Sequence, residues 1–179
     1  LNYFLESEKI GLRSLEANDL NENYVSWLNN QETSEQNSHA YFPYTINQLQ
    51  QFYNQTAQNK NLLLLAIISK SNNKHIGNIS LQNINWIYRN AEFAILLGEK
   101  EYWGKGISFE AATLIIRHGF TNLNLHRIYC GTTENNIGMK KLATKLGMQQ
   151  EGIRRDAFFK QNTFQNIIEY GILQHEFTL

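Results

Sequence analysis

Gly104 and Gly106, two residues apart, sit where a strand-like run gives way to a helical one, and that junction limits what the chain can fold into. Ala91 to Leu97 is apolar and strand-like; the helical run begins Glu110-Ala-Ala-Thr-Leu-Ile-Ile. Glycine lets the backbone turn sharply and lets a ligand approach it closely. The first amides of the following helix have no internal partners, and the helix dipole adds positive potential there. Together they make an anion site suited to a phosphate or pyrophosphate, and Lys105 adds a mobile cation. A bare pair of glycines is also found in ordinary tight turns, so the surroundings have to decide.

A chain of 179 residues is expected to form one domain, residues 1–179, with a full core. An aromatic content of 12%, spread along the sequence, argues against disorder. The formal net charge of +0 gives no electrostatic ground for a nucleic-acid partner. The single cysteine, Cys130, lies in an apolar strand-like run and is expected in the core. No apolar run reaches membrane-spanning length and no signal-peptide pattern is visible, so a cytoplasmic protein without a membrane partner is expected.

Taken in order, Lys9 to Leu15 alternates as a strand, and Ala17-Asn18-Asp19 supplies helix-start chemistry for Leu20, Tyr24, Trp27 and Leu28. Residues 31–44 read as a loop rich in rings, with His39, Tyr41, Phe42 and Tyr44; such a loop walls a pocket or simply covers core. Thr45-Ile-Asn-Gln48 is a capping box, opening a helix with Ile46, Leu49, Phe52 and Tyr53 on one face. Leu62 to Ile68 and His75 to Ile84 form a hairpin across the turn Ser71 to Lys74. The helix after the glycines runs to about Asn122, and Leu125 to Thr133 is a strand. Asn135-Asn136 caps a helix with Ile137, Leu142 and Leu146 inside, stopped by Gly147. Met148 to Arg155 and Asn166 to Glu176 are the last strands, joined by a loop around Lys160 to Thr163. The order is β-α-α-β-β-β-α-β-α-β-β.

Three stretches in this order carry a resemblance: Ala91-Glu-Phe-Ala-Ile-Leu-Leu97, Tyr102-Trp-Gly-Lys-Gly-Ile-Ser-Phe-Glu-Ala111, and Asn136-Ile-Gly-Met-Lys-Lys-Leu-Ala-Thr-Lys-Leu-Gly-Met148 with Glu151-Gly152. The chain resembles the GNAT superfamily of acyl-CoA-dependent N-acetyltransferases and, within it, the RimJ/RimL-like branch. The resemblance implies an α/β (α+β) fold: a mixed sheet of about seven strands, splayed in the middle, with helices on both faces. It implies acetyl-CoA as co-substrate and no metal. The pantetheine arm would pair with backbone of Leu96, Leu97 and Gly98, and the pyrophosphate would sit on the amides of Gly104, Lys105, Gly106, Ile107, Ser108 and Phe109. Asn136 matches the family's cofactor-side asparagine; Lys141 and Lys145 either reach the cofactor or form a solvated helix face.

The chemistry sets its own demands. An alkylamine with a pKa of about 10 is almost wholly protonated at neutral pH. Only its neutral form attacks a thioester, so a base or a chain of waters leading to one must take protons. The carbonyl oxygen becomes an oxyanion and needs a donor. Glu92 lies where some GNAT enzymes carry a glutamate base, and the resemblance makes it the catalytic candidate; Glu110, in a first helical turn, is read as structural. Where many relatives have a tyrosine acid this chain has Ala143, and where RimL-like enzymes have a serine it has Met139. Tyr129 and Tyr88 are alternative donors, while structural roles are expected for His75, His118 and His126. Tyr41, Asn78, Ser80, Trp86 and Tyr88 are the acceptor-pocket candidates. The resemblance implies a primary amine as acceptor, on a small molecule such as an amino sugar or at a protein N-terminus, with polyamines and antibiotics among the family's other substrates. His75-Ile-Gly-Asn-Ile79 and Asn136-Ile-Gly138 look closer to the small-molecule or amino-sugar branches, and a homodimer is left open. The alternative class is a non-catalytic acyl-CoA-binding regulatory module. A kinase-like nucleotide loop is disfavoured, since no G-x-x-x-x-G-K-[ST] pattern is present.

Overall fold

The computed structural model describes residues 2–37, 39–56 and 58–179. Strands β1 (Leu5–Glu6), β2 (Ile10–Ser14), β3 (Leu63–Ser69), β4 (Lys74–Asn85), β5 (Asn90–Leu97), β6 (Arg127–Thr133), β7 (Gln149–Lys160) and β8 (Thr163–Leu173) are joined with helices α1 (Glu22–Asn29), α2 (Ile46–Thr56), α3 (Ile107–Thr121) and α4 (Ile137–Lys145). The strands form one sheet in the order β1-β2-β3-β4-β5-β6-β8-β7. The expected element order holds, with β1 as one strand more than the expected seven.

Side-chain alternation assigns the two faces. Ile76, Ile79 and Leu81 of β4, Ala91 and Phe93 of β5 and Ile128 and Cys130 of β6 join Ala111, Ile115 and Ile116 of α3 and Ala143 and Leu146 of α4 in the main core. On the opposite face Ala66 and Ile68 of β3 pack with Tyr24, Val25, Trp27 and Leu28 of α1 and Leu49 of α2. Cys130 is buried as expected, and burial pushes its thiol up to about 12.

Several local expectations change. Asn21 caps α1, accepting from the Tyr24 amide, and Ala17–Asp19 forms a separate 3-10 turn. Asp19 is held there by Arg13 at 2.6 and 2.9 Å and is 4% exposed, so it serves packing rather than capping. The Thr45–Gln48 box is formed reciprocally. Of the predicted α2 face only Leu49 is deeply buried, packed with α1 and β3, while Ile46 and Phe52 are exposed. Ile137 is exposed at the start of α4, where Ala143 takes the core position. The expected Lys160–Thr163 loop is a two-residue turn: Lys160 pairs with Thr163, and Gln161 and Asn162 have φ of 50° and 59°. Two consecutive positive φ values match the twist of a hairpin, so β7 and β8 run on to its tip.

Candidate active site

Strands β5 and β6 are parallel, and they pair only at Asn90–Arg127, Ala91–Ile128 and Glu92–Tyr129. Beyond Glu92 and Tyr129 no rung joins them, so the sheet opens between Phe93–Leu97 and Cys130–Thr133. The alternation of an antiparallel ladder decides which β5 groups face the opening. The Gly98 amide donates to Ile76 O at 3.0 Å, and the same phase carries to Asn78–Leu96 and Ser80–Ala94. Leu96 therefore turns its backbone polar groups to β4, and Phe93, Ile95 and Leu97 present theirs to the opening. This corrects the expectation for Leu96 and Gly98. Leu96 projects its side chain onto the α1 face, and Gly98 is a packing glycine, since a Cβ there would lie 2.0 Å from the Trp27 ring. Ile95 is the position that sequence reasoning missed. The Leu97 carbonyl accepts from the Trp103 indole at 2.8 Å.

The glycine loop closes one end of the opening. Gly104 and Gly106 have φ of 72° and 80°, with nothing within 4 Å of where a side chain would begin. Gly106 caps α3, and the only amides of that turn returning to its carbonyl are Phe109 and Glu110, both at 3.1 Å. The amides of Ile107 and Ser108 are left to a ligand or solvent, as the first amides of any helix are. Lys105 is exposed, with its ammonium 5.7 Å from the Tyr102 ring centroid. Lys145 stacks at 4.0 Å over Phe109 and brings α4 against the loop. Lys141, one turn earlier in α4, lines a cleft together with Lys145, Lys140, Thr144, Ile153 and Tyr170. Asn136 uses its side-chain oxygen to cap α4 through the Met139 amide at 3.0 Å. Met139 is half-buried and Ala143 fully buried, and neither carries a proton to give. Glu110 accepts from Ser7 and pairs with Lys9, the structural role expected of it.

Glu92 sits at the apex of the opening. Its side chain points to the face opposite Ala91 and Phe93, where Asn83 donates to it at 2.8 Å. Tyr129 is its neighbour across the last rung. Burial and the nearby Glu92 carboxylate push the Tyr129 phenol up, so it keeps its proton.

The acceptor candidates divide. Asn78 and Ser80 lie on the Glu92 face but are buried beneath the α1 side. Asn78 holds His75 through its carbonyl at 3.0 Å, and its amide nitrogen has no partner among the described residues. Trp86 and Tyr88 are in the β4–β5 turn, beyond the closed end of the opening, and Trp86 is bonded to Asn61. They are corrected as acceptor residues: a local reading of a ring-rich turn could not tell which end of β5 opens. Tyr41 donates to Phe159 O at the β7–β8 hairpin, so its hydroxyl is a tether.

That tether belongs to a strap. Lys160 donates to Ser34 O, to Asn37 O at 2.9 Å and to His39 O at 2.8 Å, beneath the Tyr41 ring. The Thr133 hydroxyl donates to Gln36 at the outer end of β6. The ring-rich loop is thus fastened across the far end of the opening. Nothing local in the sequence marks Lys160 for this.

An open strand edge beside a glycine-capped helix suits an extended chain ending in a diphosphate. Residues 9–149 match the acetyltransferase (GNAT) domain family. A spermidine N(1)-acetyltransferase of Escherichia coli is 37% identical over 101 residues, 56% of this chain; the match spans about half of that enzyme, 54%. The spermidine N(1)-acetyltransferase of Vibrio cholerae is 29% identical over 175 residues, 96% of each chain. A probable N-acetyltransferase of Bacillus subtilis is 31% identical over 84% of this chain and 86% of its own length. The crystal structure of the Vibrio cholerae enzyme in complex with CoA and spermine superposes with a TM-score of 0.86, at 27% identity, covering 95% of this chain and 98% of that one. With the family's domain matched from β2 into β7, this chain belongs to the GNAT acetyltransferases.

Proposed function

We propose that residues 1–179 act as one acetyl-CoA-dependent N-acetyltransferase domain whose acceptor is a primary amine of a polyamine. The observation that carries the reading is the opening of β5 from β6 at Glu92 and Tyr129, which places a carboxylate and a protonated phenol at the mouth of an open strand edge. The names of the relatives move the acceptor toward spermidine-like amines and away from amino sugars. The RimJ/RimL-like placement, with a peptide N-terminus as acceptor, is the narrower alternative; one relative is a putative ribosomal N-acetyltransferase. A cytoplasmic location and a homodimer belong to the same reading. Among the described residues no helix is long and apolar enough to cross a membrane.

In this reading Phe93, Ile95 and Leu97 pair with the pantetheine arm, and the amides from Gly106 to Ser108 receive the pyrophosphate. Glu92 takes the proton that the ammonium must lose, directly or through water. Asn83 fixes the carboxylate. Tyr129 is the neutral donor nearest the reacting centre, standing in for the acid absent at Ala143. Acetyl-CoA supplies the thioester; the amine attacks its carbonyl carbon, the C–S bond breaks, and the proton balance closes on the thiolate.

Thiol release from acetyl-CoA with spermidine, putrescine, glucosamine and a peptide with a free N-terminus tests the assignment. Release with the polyamines, and little with the others, is expected. Release with the peptide alone would move the protein to the RimJ/RimL-like alternative. Acetyl-CoA binding with no release on any amine would leave the non-catalytic module.

A further inference from the structure

Two ion pairs lie across two glycines on the open face beside Glu92. Arg127 pairs with Glu151 through both its terminal nitrogens, and a Cβ on Gly171 would lie 2.5 Å from each group. Arg154 pairs with Glu169, and a Cβ on Gly131 would lie 3.2 and 3.3 Å from the two Glu169 oxygens. Gly131 is on β6 just past the last rung with β5, so Glu169 leans over the floor of the opening where the strands have separated. Ile168 and Tyr170 face the main core, which puts Glu169 on the same face as Tyr129 and Glu92. Helices α1 and α2 cover β3 to β5 and leave this part of the face open.

The pairing register gives the spacing. Glu92 is opposite Tyr129, and Glu169 is opposite Gly131. Two strand spacings across and two residues along separate their Cα atoms by about 12 Å. Tyr129 lies between them, and its phenol is pushed up by burial, by Glu92 and by Glu169. Arg154 reaches Glu169 through one oxygen only, from a side chain that is 62% exposed. The other oxygen has no protein partner among the described residues.

We infer that Glu169 is the second-ammonium site of the acceptor groove, holding the distal charge of a di- or polyamine while its primary amine lies at Glu92, and that Arg154 competes with the substrate for this carboxylate. The inference rests on the acetyltransferase reading above and adds to it the residue that selects dications over monoamines. Arg154 acts as a replaceable counter-ion, which keeps Glu169 neutralised when the groove is empty.

The test compares spermidine with a monoamine, n-butylamine, as acceptors for the wild type, Glu169→Gln and Arg154→Gln. In Glu169→Gln, KM for spermidine is expected to rise about tenfold or more, with kcat and the monoamine kinetics little changed. In Arg154→Gln, KM for spermidine is expected to fall. The opposite signs are the signature, because a merely structural ion pair loses the same interaction in either variant. Parallel changes in both variants, or equal effects on spermidine and the monoamine, overturn the inference while leaving the acetyltransferase intact. No acetylation of either amine by the wild type overturns the acetyltransferase reading and this inference with it. If Glu169→Gln fails to fold, Arg154→Gln decides alone: unchanged or raised KM for spermidine overturns the proposal.

Discussion

Glu92 and Tyr129 form the last rung between two parallel strands, and the sheet is open from the next residue onward. Glu92→Gln keeps the size and most of the hydrogen bonding of the side chain, including its contact with Asn83. Under the proposed mechanism turnover with the preferred amine falls by roughly 10²–10⁴-fold, the usual contribution of a positioned base. Affinity for acetyl-CoA stays constant, because no Glu92 atom is part of the strand edge facing the opening. The loss shrinks at high pH, where more amine arrives neutral. Turnover against pH for both forms is the measurement, and a wild-type-like profile in the variant would remove Glu92 from the mechanism.

The glycine loop is tested with a strain control. Gly106→Val is expected to weaken acetyl-CoA binding by tenfold or more, about 1.4 kcal/mol. It also forces a side chain into a positive φ, which costs about 1–2 kcal/mol of stability. Gly147→Ala, at a φ of 82° outside the site, carries a similar strain and is expected to leave affinity unchanged. Calorimetric titration of both variants, with melting curves, separates the two effects.

Asp19 sets an acid limit on stability. Burial pushes its carboxyl up, but the Arg13 hydrogen bonds, the Glu16 amide and the nearby His75 outweigh this and hold it below the usual range. A carboxylate depressed in the folded state adds stability above its unfolded pKa, about 3.9, and that stability is lost as pH falls through the lower folded value. Asp19→Asn is expected to cost about 3 kcal/mol at neutral pH, since Arg13 loses its buried partner. The variant should also show a flatter loss of stability below pH of about 4. Denaturant melts from neutral to acid pH check both; parallel curves for wild type and variant would contradict the assignment.

The β7–β8 turn holds two non-glycine residues at positive φ, Gln161 and Asn162. Asn162→Gly relieves one of these and is expected to stabilise the protein by roughly 0.5–1 kcal/mol, or a few degrees in Tm. A thermal melt decides; an unchanged or lowered Tm would mean the tip is not the tight turn described.

This turn marks where sequence reading stops. Strands β3 to β6, the capping box at Thr45 and the glycine-capped α3 were legible because each rests on a local pattern. The Gln161-Asn162 turn lacks the glycine that would announce it, so the sequence pattern makes β7 shorter than it is and sets β8 too late in the chain, with Gln174–Glu176 forming a 3-10 turn instead of its last residues. The choice of Ile95 over Leu96 depends on the phase of the ladder, which only the Gly98–Ile76 bond fixes. Trp86 and Tyr88 are on the wrong side of the last rung, a fact set by where β6 stops pairing. Glu169 carries no local signal, because its neighbours Gly131 and Arg154 come from two other strands.

The Lys160 ammonium, shared by the carbonyls of Ser34, Asn37 and His39, has a consequence for recombining this chain with its relatives. Residues 31–44 and the β7–β8 hairpin tip, far apart in the chain, behave as a single exchangeable cassette. A graft of the loop alone onto a scaffold without the lysine would bring in three carbonyls arranged around a missing cation. A graft of the hairpin alone would bury an ammonium against whatever the host loop offers. Chimeras intended to move acceptor preference between members of the family should therefore break the chain at two places and carry both pieces across together.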